Sequence, residues 1–225
     1  MNSVFFKNLG IIDFKEAWGL QEEVLGSIIR CKREKKATKS HLIFCQHPHV
    51  YTLGKSGKKE HLLLNDEELK KRGANFYKIN RGGDITYHGP GQLVVYPVLD
   101  LDNFFTDIHR YLRCLEEVVL RVLLDYGLVG RRLDGATGVW LGDGFGIRKI
   151  CAMGVRASRW VTMHGLAFNA NVDLDYFNNI IPCGISEGGV TSLSKELGKG
   201  VDFIKLEGLF EFYFKEVFEC ELIKV

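Results

Sequence analysis

The segment from Arg81 to Gln92, Arg-Gly-Gly-Asp-Ile-Thr-Tyr-His-Gly-Pro-Gly-Gln, restricts the fold of this 225-residue chain more than any other feature. An apolar run, residues 93–99, follows it directly. Glycine loses more conformational entropy on folding than other residues, so a cluster of glycines requires a structural reason. We interpret the segment as a loop between two strands, in which the backbone closely approaches a ligand.

A lysine and a cysteine further along the chain supply reactive groups. Lys149 interrupts an otherwise apolar strand, and the two-residue period of a strand predicts that it faces the same side as Ile147 and Cys151. Cys183 lies between Pro182 and Gly184, a tight turn that would expose the thiol. A glycine-rich cradle, a lysine and a cysteine together indicate acyl transfer through a thioester. The competing interpretations are an edge-strand lysine that prevents aggregation and a buried structural cysteine.

Two histidines, His88 and His164, each precede a glycine at the end of a strand. Either could form a nucleophilic pair with Cys183, in which the imidazole takes the thiol proton. The alternative is that each is a hydrogen-bonded group that shapes the substrate pocket. The sequence leaves both interpretations open.

Composition excludes several classes of protein. A net charge of +2 provides no polybasic footprint for nucleic acid. No apolar run approaches the ~20 residues of a membrane span, and the N-terminal segment lacks the pattern of a signal peptide. The six cysteines include no CxxC pair, so we expect reduced thiols in a cytoplasmic protein. A local cluster of basic residues could still face an acidic partner, although solvated loops are the simpler interpretation; it comprises Lys55, Lys58, Lys59, Lys70, Lys71 and Arg72.

The nucleotide and metal motifs are also missing. Gly142, Gly144 and Gly146 do not fit GxGxxG and precede a strand, and there is no Walker loop. Residues 45–49, Cys-Gln-His-Pro-His, contain zinc-ligand types but have no second cluster at the spacing of a structural zinc site. We therefore expect neither a cofactor nor a metal.

The periodicity of the sequence predicts one α/β domain over residues 1–225, with a mixed β-sheet flanked by helices. Helices are expected at 14–34 behind Asp13, at 65–72, at 107–126 behind Asp107 and at 203–218, with a helical turn at 192–197. Strands are expected at 41–45, 76–80, 93–99, 138–141, 147–156 and 160–169, and the 142–144 segment is expected to form a hairpin turn. Residues 51–54 are expected to begin a loop.

These motifs carry a resemblance to a known family. The chain resembles the lipoyl(octanoyl) transferases, which belong to the biotin/lipoate protein ligase fold. The resembling segments are 47–54, 81–92 with Tyr96-Pro97, 137–140, 149–156, 161–169 and 182–184. Cys151 departs from the family, which often has alanine there, and would add a second thiol near the site.

The resemblance implies a role for particular residues. Cys183 would be the acyl-thioester nucleophile, and Lys149 would lower its pKa. Three segments would bind the acyl substrate: Arg81, Gly82, Gly83, Asp84, Ile85, Thr86, Tyr87 and His88; Ala152, Met153 and Gly154; and His164, Gly165, Leu166 and Ala167.

The resemblance also implies the partners. The donor would be octanoyl-acyl carrier protein, and the acceptor a lysine on the lipoyl domain of a 2-oxo acid dehydrogenase or on the H protein of the glycine cleavage system. No ATP is needed, because the donor is already activated. Lys149, His88 or His164 could take the proton of the attacking amine. The alternatives are an ATP-dependent lipoate or biotin protein ligase and a non-catalytic module that binds acyl carrier protein.

Overall fold

The computed structural model describes residues 2–181 and 189–225. The helices are α1 (Phe14–Arg33), α2 (Asp66–Lys71), α3 (Ile108–Asp125), α4 (Leu193–Leu197) and α5 (Phe203–Phe218). The strands are β1 (Asn2–Ile11), β2 (Ser40–Gln46), β3 (Val50–Leu53), β4 (Asn75–Lys78), β5 (Ile85–His88), β6 (Gln92–Val98), β7 (Arg131–Leu133), β8 (Ala136–Leu141), β9 (Arg148–Ser158), β10 (Val161–Asn169), β11 (Gly189–Val190) and β12 (Cys220–Lys224). Cys183 and its neighbours Pro182 and Gly184 lie outside the described residues.

Most of the strands form one mixed sheet, as the sequence predicts. Their order is β12-β1-β2-β6-β10-β9-β8-β7, and β11 pairs with β9 outside this order. Strand β1 runs parallel to both β12 and β2, whereas the pairs from β2 to β7 are antiparallel. A smaller sheet has the order β4-β3-β5 and contains the middle of the glycine-rich segment, residues 85–88.

Helix α1 covers one face of the large sheet. Asp13 caps it by accepting a hydrogen bond from Lys15 N (2.8 Å), as the sequence predicts. Its buried residues recur every three or four positions and therefore form one stripe along the helix: Phe14, Ala17, Gln21, Leu25 and Ile28. The stripe packs on residues of β2, β6 and β10.

Helices α3 and α5 cover the opposite face and bury the largest cluster of apolar side chains. Asp107 caps α3 and Asp202 caps α5, each by accepting from a backbone N–H of the first turn. Phe210 of α5 packs edge-on against Phe44 of β2 and Phe168 of β10. The helices expected at 65–72 and 203–218 and the turn at 192–197 are also confirmed.

Several expectations about strands are wrong. Residues 50–53 form β3 instead of beginning a loop, and the middle of the glycine-rich segment, residues 85–88, is strand β5, paired antiparallel with β3. The hairpin expected at 142–144 is confirmed, since β8 and β9 pair antiparallel, but its loop is longer and includes a short helical turn at Gly144–Gly146. Strands β1 and β12 were not predicted, because each depends on pairing with the other, far away in the sequence. No helix among the described residues is long and apolar enough to span a membrane.

Strands β6 and β10 approach each other closely at Gly165. A Cβ atom at this position would lie 2.1 Å from Val95 O of the neighbouring strand β6 and 2.7 Å from Pro97. Only glycine therefore permits this contact between β6 and β10.

We predict that Gly165→Ala lowers the free energy of unfolding by about 2 kcal/mol or more, because the strands must separate to make room. Urea denaturation of the purified variant measures this. Gly208→Ala is the matched control, since Gly208 lies in helix α5 with open space around it and should gain up to about 1 kcal/mol. Equal midpoints for wild type and Gly165→Ala would contradict the close approach.

Candidate active site

A cavity of about 570 Å³ lies where the glycine-rich segment meets the central hairpin β9–β10. It brings together nearly all of the site residues that were predicted within the described part of the chain. Lining it are Lys149, Arg81, Gly82, Gly83, Asp84, Ile85, Thr86, His88, Ala152, Met153, Gly154, His164, Gly165, Leu166 and Ala167. The three segments predicted from the sequence thus form one continuous surface.

Tyr87 is the exception among the predicted binding residues. It does not line the cavity; its side chain is fully buried on the other side of β5, in the apolar cluster of the small sheet. There its hydroxyl hydrogen-bonds to His49 Nδ1 (2.7 Å), and its ring stacks on Tyr176. Successive residues of a strand face opposite sides, so Tyr87 must point away if Thr86 and His88 face the cavity.

Strand register explains why two of the segments meet. Gly165, Leu166 and Ala167 of β10 pair directly with Gly154, Met153 and Ala152 of β9. Both members of the Gly165–Gly154 pair lack a side chain, so the hairpin is bare at this point. A Cβ at Gly154 would lie 2.8 Å from Gly82 O, which shows how closely the glycine-rich segment rests on the hairpin.

The adjacent glycines Gly82 and Gly83 serve different purposes. Gly83 has a φ of +82°, a conformation that residues with a side chain resist. Gly82 donates its N–H to Val155 O (2.9 Å), and a Cβ there would meet only that oxygen, at 3.4 Å. The described structure therefore requires glycine at 83 for the backbone, and at 82 it leaves open space beside the cavity.

Arg81 places a fixed positive charge at the cavity wall. Its guanidinium donates to Thr52 O (2.7 Å), Thr52 Oγ1 (3.0 Å) and Gly82 O (3.0 Å), and the residue is only 7% exposed. Burial lowers its pKa to about 10, which leaves it charged at neutral pH. The charge of Asp84, a buried carboxylate that also lines the cavity, favours the charged form of Arg81. A buried cation attracts anionic or polarised groups of a ligand.

The backbone conformation of His164 is unusual for a strand. Its φ is +59°, and its N–H donates to Gln21 Oε1 of helix α1 (2.9 Å). Gln21 is fully buried. The pairing of β10 with β6 does not extend to His164, so the side-chain oxygen of Gln21 supplies the acceptor that the His164 N–H needs. His164 Nε2 is buried and has no hydrogen-bond partner within the described part of the chain.

Burial keeps both cavity histidines neutral. It lowers the pKa of His88 to about 3 and that of His164 to about 3, and the charge of Arg81 adds to the effect at each. A neutral imidazole can donate or accept a hydrogen bond, but one with such a low pKa cannot take up a second proton at neutral pH. Neither histidine is therefore suited to store the proton of an attacking amine.

Lys149 lies in β9 opposite Trp140 of β8, and its ammonium is 4.9 Å from the centre of the Trp140 ring. Its backbone oxygen accepts from Thr191 N (3.0 Å). The expectation that Cys151 faces the same side is wrong. Val139 of β8 pairs with Cys151 and the next residue, Trp140, pairs with Lys149, so Ile150 is an additional residue that forms a bulge in β9. The bulge interrupts the alternation of side chains, and Lys149 and Cys151 therefore face different sides.

Cys151 is consequently not a second thiol of the site. It is fully buried in the core and does not line the cavity, and burial raises the pKa of its thiol. Cys45 is similarly buried with a raised pKa, and its Sγ lies 3.6 Å from His47 Nε2. Among residues 2–181 and 189–225, no group of three metal-ligating side chains occurs. His49, the third member of the candidate zinc motif, instead stacks on Tyr176.

The sequence did not single out the floor of the cavity. It is lined by Phe14 of α1, Val94 and Tyr96 of β6, and Ile79.

Tyr96 donates its hydroxyl proton to His47 Nε2 (2.8 Å), because His47 Nδ1 must donate to Ile12 O (2.8 Å). Gln21 could have been recognised from the sequence, because it is a polar residue within the buried stripe of α1. Nothing in the sequence distinguished Val94 or Ile79 from ordinary core residues.

Comparison with known proteins places the chain in a family. Residues 13–215 match the model of the lipoyl protein ligase A/B catalytic domain. The chain is 56% identical to an octanoyltransferase of Christiangramia forsetii, over 96% of both chains, and 56% identical to one of Flavobacterium johnsoniae, over 96% of this chain and 97% of the relative. A bipartite lipoate protein ligase from Thermoplasma acidophilum, solved in a study with its E2 lipoyl domain, superposes with a TM-score of 0.75 at 16% identity, over 100% of this chain and 87% of that one.

The chain belongs to the lipoyl protein ligase A/B catalytic domain family. Within that family it is an acyltransferase, as the identity to curated octanoyltransferases over nearly the whole length establishes. The Thermoplasma structure confirms the expected α/β fold of the lipoate ligases.

The neutral histidines predict a specific acid sensitivity. Their pKa in the folded protein lies below the unfolded value of about 6.5, so their contribution to stability is complete above pH ~6.5 and is lost as the pH falls toward 3. Between pH 6.5 and 5.5 each should remove about 1 kcal/mol from the free energy of unfolding. Urea denaturation of wild type and His164→Gln at both pH values measures the difference. Parallel losses in the two proteins would contradict a buried neutral His164.

Proposed function

We propose that the enzyme transfers octanoyl from octanoyl-acyl carrier protein to a lysine of a lipoyl domain, through a thioester on Cys183. Octanoyl transfer in protein lipoylation is its activity, as for its curated relatives. The proposal concerns the donor, the covalent intermediate, the acceptor and the residues that act. The observation that carries it is the single cavity in which Lys149 and the three predicted binding segments meet.

The lining of the cavity suits an acyl chain attached to a polar arm. Its floor and one wall are apolar, with Phe14, Val94 and Leu166, whereas Arg81 and the glycine backbone lie at another wall. Small-molecule sites are mostly apolar with a few placed polar groups, and a volume of 570 Å³ is typical of them. The apolar part would hold the octanoyl chain, and the polar part would face the thioester and the arm of the carrier.

Residues on both sides of the segment that contains Cys183 line this cavity. They are Ile180 and Val190. Ile181 N donates to His61 O (2.8 Å) and Gly189 N to Ile147 O (3.2 Å), so both attachment points are hydrogen-bonded to the fold. Since a chain covers at most about 3.6 Å per residue, this short connection supports a nucleophile that acts at the cavity.

Lys149 would favour the thiolate form of Cys183. A free cysteine has a pKa near 8.5 and is only slightly ionised at neutral pH, and a nearby cation stabilises the thiolate. The thiolate would attack the donor thioester, forming the acyl-cysteine and expelling the carrier thiolate, which takes a proton from the Lys149 ammonium and leaves as a thiol. The acceptor amine would then attack the acyl-cysteine, forming the amide and releasing the cysteine thiolate. Because Lys149 is neutral at this stage and both histidines have depressed pKa values, we assign the proton of the attacking amine to Lys149, which restores the ammonium.

We expect the wild-type enzyme to gain one octanoyl mass when mixed with octanoyl-acyl carrier protein without ATP, and Cys183→Ala to gain none. Intact-mass spectrometry measures the adduct. Cys31→Ala is the matched control, because Cys31 is a partly exposed thiol on α1, outside the cavity. An adduct that persists in Cys183→Ala would contradict the assignment, and a requirement for ATP would indicate ligase chemistry.

Removal of the Lys149 charge should raise the pKa of the Cys183 thiol by about one unit or more. The pH dependence of Cys183 alkylation by iodoacetamide, in the wild type and Lys149→Ala, measures the shift. Lys195→Ala removes an exposed lysine of α4 and should leave the curve unchanged. Coincident curves for wild type and Lys149→Ala would exclude the electrostatic role.

A further inference from the structure

A chain of buried polar side chains leads from the backbone beside Lys149 to the ring of His88. Asn169 Nδ2 donates to Thr191 O (2.9 Å), and Gln92 Nε2 donates to Asn169 Oδ1 (2.9 Å). Gln92 Oε1 lies 2.8 Å from His88 Nδ1. Gln92 is 1% and Asn169 3% exposed, and the two are paired across β6 and β10, so these hydrogen bonds are shielded from solvent.

Backbone carbonyls fix the direction of every hydrogen bond in this chain. A carbonyl oxygen can only accept, so Thr191 O must face the amide nitrogen of Asn169. Tyr87 O accepts from Gln92 Nε2 (3.2 Å) and fixes the Gln92 amide in the same way. Gln92 therefore presents its oxygen to His88, and His88 Nδ1 must carry the proton.

We propose that Gln92 and Asn169 are positioning residues that hold His88 in the Nδ1–H tautomer and present Nε2 to the cavity as an acceptor for a substrate N–H group. His88 lines the cavity, whereas Gln92, on the Nδ1 side of its ring, does not. The ring is held between Phe14, stacked on it at 6.1 Å, and His47 at 5.9 Å.

The surroundings of His88 keep the ring neutral, so that Nε2 retains its lone pair. Burial is the main cause of its low pKa, and His47, Arg81 and His164 all oppose a positive charge there. The hydrogen bond to Gln92 acts in the opposite direction but is weaker. A neutral acceptor of this kind selects a hydrogen-bond donor on a ligand.

The proposed reaction offers two sources of such an N–H group. One is the amide of the pantetheine arm that carries the octanoyl thioester, and the other is the amine of the attacking lysine. This part of the inference rests on the proposed function. In both cases His88 Nε2 accepts a hydrogen bond from an N–H group. Whether acylation of the enzyme or transfer to the lipoyl domain depends on His88 identifies the source of that group.

The tautomer is tested without any substrate. In ¹⁵N spectra of the histidine rings at pH 7, we expect His88 to show a protonated Nδ1 and an unprotonated Nε2. Gln92→Met, which keeps the length of the side chain but removes the acceptor, should lose this single-tautomer signature. Gln46→Met is the matched control: Gln46 Oε1 accepts from Gly91 N (2.8 Å), next to Gln92, and does not touch His88. A protonated Nε2 in the wild type would overturn the proposal.

The kinetic test uses single-turnover acylation by octanoyl-pantetheine and by an octanoyl thioester without amide groups, followed by transfer to a lipoyl domain. If the donor amide binds His88, Gln92→Met slows acylation by octanoyl-pantetheine about fivefold to tenfold, the size expected for one hydrogen bond, and spares the amide-free donor. If the attacking amine binds His88, acylation is unchanged and transfer slows by a similar factor.

Two kinetic results would also overturn the inference. One is a Gln92→Met protein, folded as judged by its melting temperature, that has lost the tautomer signature but performs both half-reactions at wild-type rates. The other is an equal slowing of acylation with both donors, which would indicate a general disturbance of the cavity. Failure of the wild type to form an octanoyl adduct would instead contradict the proposed function, and the tautomer measurement would be unaffected by it.

Discussion

The bare backbone pair Gly154–Gly165 is the constraint on which the rest of the site depends. On one side Val95 O approaches Gly165, and on the other Gly82 O approaches Gly154, both closer than any Cβ would allow. Backbone therefore packs directly on backbone at both glycines: strand β6 against its sheet neighbour β10 at Gly165, and the glycine-rich segment against β9 at Gly154. Because these contacts are this close, side chains from all of these segments reach the same cavity, and a small displacement of any segment would change its shape.

The electrostatics of the cavity follow from this packing. Close contact excludes solvent, so Arg81 is buried, hydrogen-bonded to dipolar groups and favoured by the charge of Asp84, and both histidines remain neutral. In a medium of low dielectric constant a fixed cation interacts more strongly with developing negative charge than it would in water. Arg81 and Lys149 therefore supply positive charge to a site proposed to form a thiolate and tetrahedral oxyanions, while the neutral histidines supply hydrogen bonds without adding to that charge.

Sequence patterns predicted those parts of the structure that depend on local chemistry. The capping residues Asp13 and Asp107 and the period of α1 and α3 are properties of neighbouring residues, and the helices begin where these signals lie. Strand β12 depends on pairing with the distant strand β1, and the side on which Tyr87 lies follows from strand β5, which depends on pairing with β3; neither was predicted. The error at Cys151 has the same origin, because a single bulge at Ile150, which no local signal marks, reverses the alternation of faces.

The candidate site was predictable to the extent that its residues are chemically unusual for their position. Glycines, histidines and a lysine in strands attract notice, whereas Gln21, Gln92 and Asn169 act by completing hydrogen bonds that only the folded chain reveals. Thr191 connects Lys149, which the sequence singled out, with Asn169, whose role only the folded chain reveals. It follows the segment that contains Cys183, donates its N–H to the backbone of Lys149, and accepts from Asn169. A change in the position of Lys149 would consequently alter the hydrogen bonds that orient His88. The position of the Lys149 cation and the orientation of the neutral His88 ring are therefore coupled.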